Sequence, residues 1–333
     1  MSLPKSIVDV LDGHTKIIEE KIVSTLSLTR QEKLQSAMLY LIESGGKRLR
    51  ACLPFLVGKM IGNTSNSHYD VGAAIEIIHN FTLIHDDIMD DDSMRRGRKS
   101  VHEAFNVPTA INAGDAMLAV AFELISSSED IDVEILPEIV QIIGQMVRRV
   151  SEGQQLDIDN ENRRNITIDD YLYMIEGKTA VMFEACAKSG AILSGASKEE
   201  VEQLGKWGLN LGLCFQIVDD LIDIISEENI SGKPLGSDLM QGKMTCIVIH
   251  AMDNNDEKAL LNIENVLGKK DEVTDNQLGL AIESLKELGS IDYCRDLAHE
   301  YHQKSKKCLE GFKQNKAFKS LMDLTDYHIN RIK

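Results

Sequence analysis

Proline is nearly missing from this chain. Five occur in 333 residues, far apart, so little interrupts long helices. Aromatic residues make up only 5%, and the alternation of exposed strands is scarce. No apolar run approaches the roughly 18 unbroken residues that would span a bilayer. The N-terminal MSLPKSIVDVLDGHTK lacks the charged, apolar, small-residue order of a secretory signal. A cytoplasmic protein without a membrane span is expected. CxxC pairs are also lacking. Cys52, Cys186, Cys214, Cys246, Cys294 and Cys308 sit mostly among apolar neighbours, which favours buried reduced thiols over disulfides or zinc. Positive charge is in deficit: the formal balance of −17 argues against nonspecific nucleic-acid binding. An acidic chain can still take a phosphate ligand through a bridging cation.

What the chain does have is helical periodicity and, at 43% hydrophobic residues, enough apolar content for a large core. Residues 67–90 and 205–226 read as long buried helices, and 111–127, 134–155, 169–195, 198–212, 275–288 and 291–313 as further helices. Loop signals fall near 62–67, 95–100 and 229–242. No linker or internal repeat divides the chain, so one all-α domain over 1–333 is expected.

Two acidic constellations stand out. FTLIHDDIMDDDSMRRG at 81–97 places Asp86 and Asp90 one helical turn apart, with Asp87 beside them, after a largely apolar segment. Like charges so close repel and, if partly buried, need compensation. A divalent cation supplies it, and magnesium suits hard oxygen donors shared with phosphates. Alone, this triplet could equally be a solvated helix end. The second, Asp219, Asp220 and Asp223 in CFQIVDDLIDII, is flanked by apolar residues on nearly every side. Uncompensated carboxylates there would cost several kcal/mol, so they must pair with cations or face a wet cavity. Together, two such triplets could grip a diphosphate through metals, which neutralise charge on a departing group.

Basic segments accompany them. GGKRLR at 45–50 offers Lys47, Arg48 and Arg50, RRGRK at 95–99 follows the first triplet, and GKPLGSDLMQGK at 232–243 brings Lys233 and Lys243 after the second. Arginine grips phosphate bidentately and lysine acts as a point charge. Each segment alone reads as a solvated loop, and Lys178 alone as a surface lysine. His79 and His85 read as core histidines.

In their order and spacing, GGKRLR, LIHDDIMDDDSMRRG, GDAML at 114–118, EGQQLD at 152–157, KTA at 178–180, FQIVDDLID at 215–223 and GKPLGSDLMQGK resemble the trans-isoprenyl diphosphate synthases, or polyprenyl synthetases. The likeness runs from about residue 40 to about 250. It implies mostly antiparallel helices around a deep central cavity, usually in a homodimer. It implies head-to-tail condensation of isopentenyl diphosphate with an allylic diphosphate such as dimethylallyl, geranyl or farnesyl diphosphate. By the family pattern, Asp86, Asp87, Asp90, Asp219 and Asp223 hold magnesium, three ions in all, and the allylic diphosphate, with Asp220 less direct. Arg95, Lys178 and Lys233 match allylic diphosphate contacts. Lys47, Arg50, His79 and Arg96 match isopentenyl diphosphate contacts, which moves His79 from core residue to ligand. Thr179 and Gln216 match positions beside the reacting carbons, and Lys243 a basic position near the mouth. Ala51 and Ala180 depart from the usual proline and glycine.

In this family the residues just before the first triplet set the cavity floor. A large residue only at the fifth position before it, here Phe81, with a small Thr82 at the fourth, resembles the archaeal geranylgeranyl type and implies a twenty-carbon product. Farnesyl or longer products are the alternatives. A terpene cyclase would carry a different second motif, and a non-catalytic subunit would be expected to lack aspartates that are intact here. Residues after about 250 show no chemistry beyond packing.

Overall fold

The structure is a computed structural model and describes residues 5–161, 163–225 and 235–332. The periodicity folds as helices almost throughout: α1 (Lys5–Leu26), α2 (Glu32–Glu43), α3 (Leu49–Ile61), α4 (Ser67–Met89), α5 (Val101–Ala104), α6 (Val107–Ser126), α7 (Leu136–Asn160), α8 (Ile168–Ile175), α9 (Val181–Leu193), α10 (Lys198–Ile225), α11 (Ser237–Gln241), α12 (Cys246–Met252), α13 (Glu257–Glu264), α14 (Asp275–Glu287), α15 (Ser290–Cys308) and α16 (Lys316–Ile329). Local chemistry fixes several starts. The Asn106 side chain accepts from Thr109 N–H at the head of α6, and Thr167 with Asp170 forms a capping box on α8.

The structure revises several expected boundaries. The segments 198–212 and 205–226 form one helix of 28 residues, α10, because nothing between them breaks it. The expected 169–195 helix is interrupted by a π-helical turn, Glu176–Ala180. The expected 134–155 helix runs on to Asn160, and 291–313 stops at Cys308. The loop at 95–100 is a hairpin pairing β1 (Met94–Arg95) with β2 (Arg98–Lys99), turned by Arg96 and Gly97 at φ of 53° and 75°. Within the loop expected at 229–242, Ser237–Gln241 is helical and residues 226–234 lie outside the described residues. Helices α1, α2 and α3 precede the expected set.

Two buried apolar clusters form the core. One gathers α1 to α4, α6, α7, α9 and the first half of α10 around Trp207, which is wholly buried. The other joins α8, the second half of α10, and α12 to α15. Helix α10, about 42 Å long at 1.5 Å per residue, runs through both. Helix α6 is, among the described residues, the one helix long and apolar enough to cross a bilayer, and 33% of that stretch is buried. It packs along α4. All six cysteines are free thiols, five of them buried.

Candidate active site

Helix α4 ends at Met89, and the N–H of Asp90 closes its last turn on the Asp86 carbonyl. Asp91, at φ 56°, then reverses the chain into the hairpin. That reversal returns Arg95 to the triplet, where its Nε donates to Asp87 Oδ1 at 2.6 Å. Asp87 is wholly buried, and burial pushes its carboxyl up to about 6 even against Arg95. Burial likewise raises Asp86, opposed chiefly by Lys178, whose Nζ stands 3.6 Å from Asp86 Oδ1.

Lys178 comes from the π turn. That turn lies against Gly153 of α7, where a methyl group would stand 2.1 Å from the Lys178 nitrogen, so only glycine allows the approach. One turn below, at the end of EGQQLD, Asp157 accepts from Lys178 Nζ at 2.7 Å and from Lys243 Nζ at 3.0 Å. Burial pushes Asp157 up, but the two ammonium groups outweigh it and hold it below the ordinary range. Burial lowers Lys178 and Lys243, and Asp157 more than restores them, so both stay charged. Lys243 also meets Asp90 at 3.3 Å and Glu161 at 2.7 Å. It is a buried bridge between the first triplet and α7.

The second triplet is less bare than its apolar flanks suggest. Arg331 Nη1 donates to Asp219 Oδ1 at 2.6 Å. Asp220 accepts from the Tyr171 hydroxyl at 2.6 Å and from Gln216 Nε2 at 2.8 Å. Asp223 accepts from the Asp238 N–H at 3.0 Å, capping the start of α11. Thr179 Oγ1 donates to Gln216 Oε1 at 2.7 Å, so a chain of hydrogen bonds fixes the Gln216 amide. Burial raises Asp219 and raises Asp220 well above the usual carboxylate value.

In GGKRLR, Gly45 at φ 83° and Arg48 at φ 46° bend the chain into α3. Arg48 turns inward to Glu76 at 2.9 Å and Glu19 at 3.1 Å as a buried strut. Lys47 donates to the Tyr327 hydroxyl at 3.0 Å. Arg50 lies 4.5 Å over the Phe183 ring and 5.3 Å over Phe215, and its buried Nε has no hydrogen-bond partner. Its Nη1 is 3.5 Å from His79 Nε2. Burial, then the Arg50 charge, holds His79 well below its ordinary value, so the ring is neutral and Nε2 accepts. Arg96 Nη1 donates to the Leu41 and Gly45 carbonyls.

These elements enclose a cavity of about 720 Å³. Asp86, Asp90, Asp219, Asp220, Asp223, Lys178, Thr179, Gln216, Lys243, Arg50, His79, Arg95, Phe81 and Thr82 line it, so both triplets open on one space. Lys47, Asp87 and Arg96 stand behind that lining, and Lys233 falls outside the described residues. Asp157, Tyr171, Asp238 and Arg331 also line the cavity and were not singled out from the sequence. Asp157 had a signal in EGQQLD. Arg331, 112 residues beyond Asp219, had none. The C-terminal region therefore contributes a charged side chain to the cavity wall as well as packing.

The carboxylates suit a divalent cation. Asp86 Oδ1 and Asp87 Oδ2 are buried oxygens without a hydrogen-bond partner. Among the described residues no three His, Cys, Asp or Glu side chains form a ready-made metal cage. Carboxylates set apart on two walls fit magnesium, which takes one or two protein oxygens and completes its shell with water and phosphate.

A sequence model of the polyprenyl synthetase family matches residues 31–284. The geranylgeranyl diphosphate synthase of Methanosarcina mazei is 37% identical over 98% of this chain and 98% of its own. Among solved structures, geranylgeranyl pyrophosphate synthetase from Pyrococcus horikoshii superposes with a TM-score of 0.91 at 35% identity, covering 97% of this chain and 98% of that one. A polyprenyl synthase from Caulobacter crescentus, complexed with calcium and isoprenyl diphosphate, superposes with a TM-score of 0.89 at 28% identity over 98% of both chains. With the all-α architecture and the paired aspartate walls, these matches place the chain in the polyprenyl synthetase family.

Proposed function

We propose that the protein is a magnesium-dependent trans-prenyltransferase that joins isopentenyl diphosphate head-to-tail to an allylic diphosphate and releases geranylgeranyl diphosphate. The observation that carries this is the shared cavity, which is lined both by the two carboxylate walls and by the apolar Phe81, Met174, Met182 and Phe215. Bound magnesium, held by Asp86, Asp87, Asp90, Asp219 and Asp223, would neutralise the charge on the departing diphosphate. Lys178 and Arg95, with Lys233, bind that diphosphate directly. Arg50, with its unpartnered Nε, His79, Lys47 and Arg96 hold the second diphosphate. Thr179 and Gln216, locked by Asp220 and Tyr171, present fixed dipoles beside the reacting carbons. The apolar lining excludes water from the allylic cation, and the released diphosphate takes the proton that completes the new double bond.

Product length rests on Phe81. It lies five residues before Asp86, is 9% exposed and lines the cavity, while Thr82 beside it is small. The archaeal relative is named for the same twenty-carbon product. Purified protein with magnesium, farnesyl diphosphate and isopentenyl diphosphate should yield geranylgeraniol after phosphatase treatment, and chelation should abolish it. An absence of elongation, whatever the magnesium supply, would refute the assignment.

We also propose a homodimer joined through α6. That helix leaves Val107 and Ile111, one turn apart, 43% and 42% exposed, with the polar Asn112 and Asp115 beside them. Sedimentation should give twice the 37.1 kDa chain mass, and Ile111→Lys should return it to the single-chain value.

A further inference from the structure

The segment GDAML at 114–118 carries the family likeness, yet none of its residues lines the cavity. Its glycine faces α4. A methyl group at Gly114 would stand 2.2 Å from His85 Nε2 and 2.6 Å from Cδ2, so the bare Cα leaves room for that imidazole. The ring is held there by a hydrogen bond. Nε2 lies 3.2 Å from the Ile111 carbonyl oxygen, and because a carbonyl only accepts, Nε2 carries the proton. Asp115 Oδ1 lies 4.0 Å from the same nitrogen. The imidazole also meets Phe81. The two ring centroids are 5.2 Å apart and the planes cross at 86°, the edge-to-face packing that aromatic quadrupoles favour. His85 and Phe81 are one turn apart on α4, so this contact follows from helix geometry, and both line the cavity.

We infer that His85 is a positioning residue for product length. Seated on Gly114 and tied to Ile111, it braces the Phe81 ring and stops it from turning away under the growing prenyl chain. The inference rests on the reading of Phe81 as the cavity floor. It accounts for a cavity-lining histidine to which the proposed reaction assigns no role and for the glycine of GDAML, which acts on the floor from the neighbouring helix.

Four variants of the full chain test it: Phe81→Ala, His85→Ala, the double variant and Gly114→Ala, each assayed for prenol length. Phe81→Ala should raise the ratio of longer to twenty-carbon product about tenfold, the scale of hydrophobic-pocket discrimination. His85→Ala should raise it in the same direction by a smaller factor. The double variant should match Phe81→Ala, because His85 acts through Phe81. Gly114→Ala should push the imidazole off its seat and lengthen product without altering residue 85. KM for isopentenyl diphosphate should stay within about twofold, since no diphosphate contact is lost. His85→Gln keeps a donor for Ile111 without a ring and should also lengthen product, so it replaces His85→Ala if alanine beside Asp86 abolishes turnover. If Phe81→Ala lengthens product while the position-85 variant and Gly114→Ala match wild type, the inference is overturned and the floor reading stands. If the double variant lengthens further than Phe81→Ala, His85 is itself part of the floor and does not act through Phe81. If Phe81→Ala leaves the distribution unchanged, the floor reading and the inference fall together.

Discussion

Asp219→Ala should cut turnover by about three orders of magnitude while the far-ultraviolet circular dichroism spectrum stays helical. Asp219 lines the cavity, and Arg331, Arg50 and Lys47 are the positive charges nearest to it in effect. Its carboxylate faces the cavity and receives Arg331 at 2.6 Å, and burial drives its pKa up while Arg331 holds it down. Removing it deletes a hard oxygen donor and leaves Arg331 without that counter-charge beside Arg50 and Lys47. Loss of one electrostatic contact to a developing charge typically lowers turnover about 10²–10³-fold, and a lost metal ligand falls at the upper end. Asp219→Asn separates the two effects, because the amide oxygen can still accept from Arg331 but brings no charge to a cation. Asp86→Ala on the other wall should be as severe. A variant at either position that kept turnover within a few-fold of wild type would exclude the two-wall diphosphate grip.

How much of this was legible depends on where each signal lies in the chain. Both triplets could be found because aspartates one turn apart inside apolar helices contradict the usual cost of burying charge, and α4 and α10 lie where periodicity placed them. What a one-dimensional reading missed was compensation from distant segments. Asp219 is met by Arg331 and Asp220 by Tyr171 of α8, both joined to the motif only by tertiary packing. The π turn was equally hidden, since EGKTA fits an ordinary helix and only the approach of Gly153 shows why the ladder loosens there. Within GGKRLR, residue type alone does not separate the three basic residues, and only the family likeness set Arg48 apart from Lys47 and Arg50. Arg48 turns to Glu76 in the core while Arg50 lines the cavity, a division decided by the left-handed backbone at residue 48.

Asp157→Ala should lower the melting temperature and weaken magnesium use together. Asp157 is buried and divides its charge between Lys178 at 2.7 Å and Lys243 at 3.0 Å. Breaking a buried ion pair from one side costs about 3–5 kcal/mol. Here Lys178 keeps Asp86 and Lys243 keeps Glu161, so the loss should lie at or below the low end, about 2–3 kcal/mol, or roughly 5 °C in a chain of this size. The pH dependence has a definite sign. Asp157 is depressed from an ordinary value of 3.8, so its stabilisation is present above that pH and is lost as pH falls through the depressed value. The melting-temperature gap between wild type and Asp157→Ala should therefore hold through neutral pH and close in strong acid. A gap that widened toward acid would mean Asp157 is not the charged partner of the two lysines. The functional effect follows from the same geometry. Without Asp157, Lys178 and Lys243 are left to Asp86 and Asp90, where they compete with a divalent cation for the same oxygens. Half-saturating magnesium should rise about tenfold, the scale of an outer-shell partner's loss, and Asp157→Asn, which keeps the shape without the charge, should reproduce most of that rise.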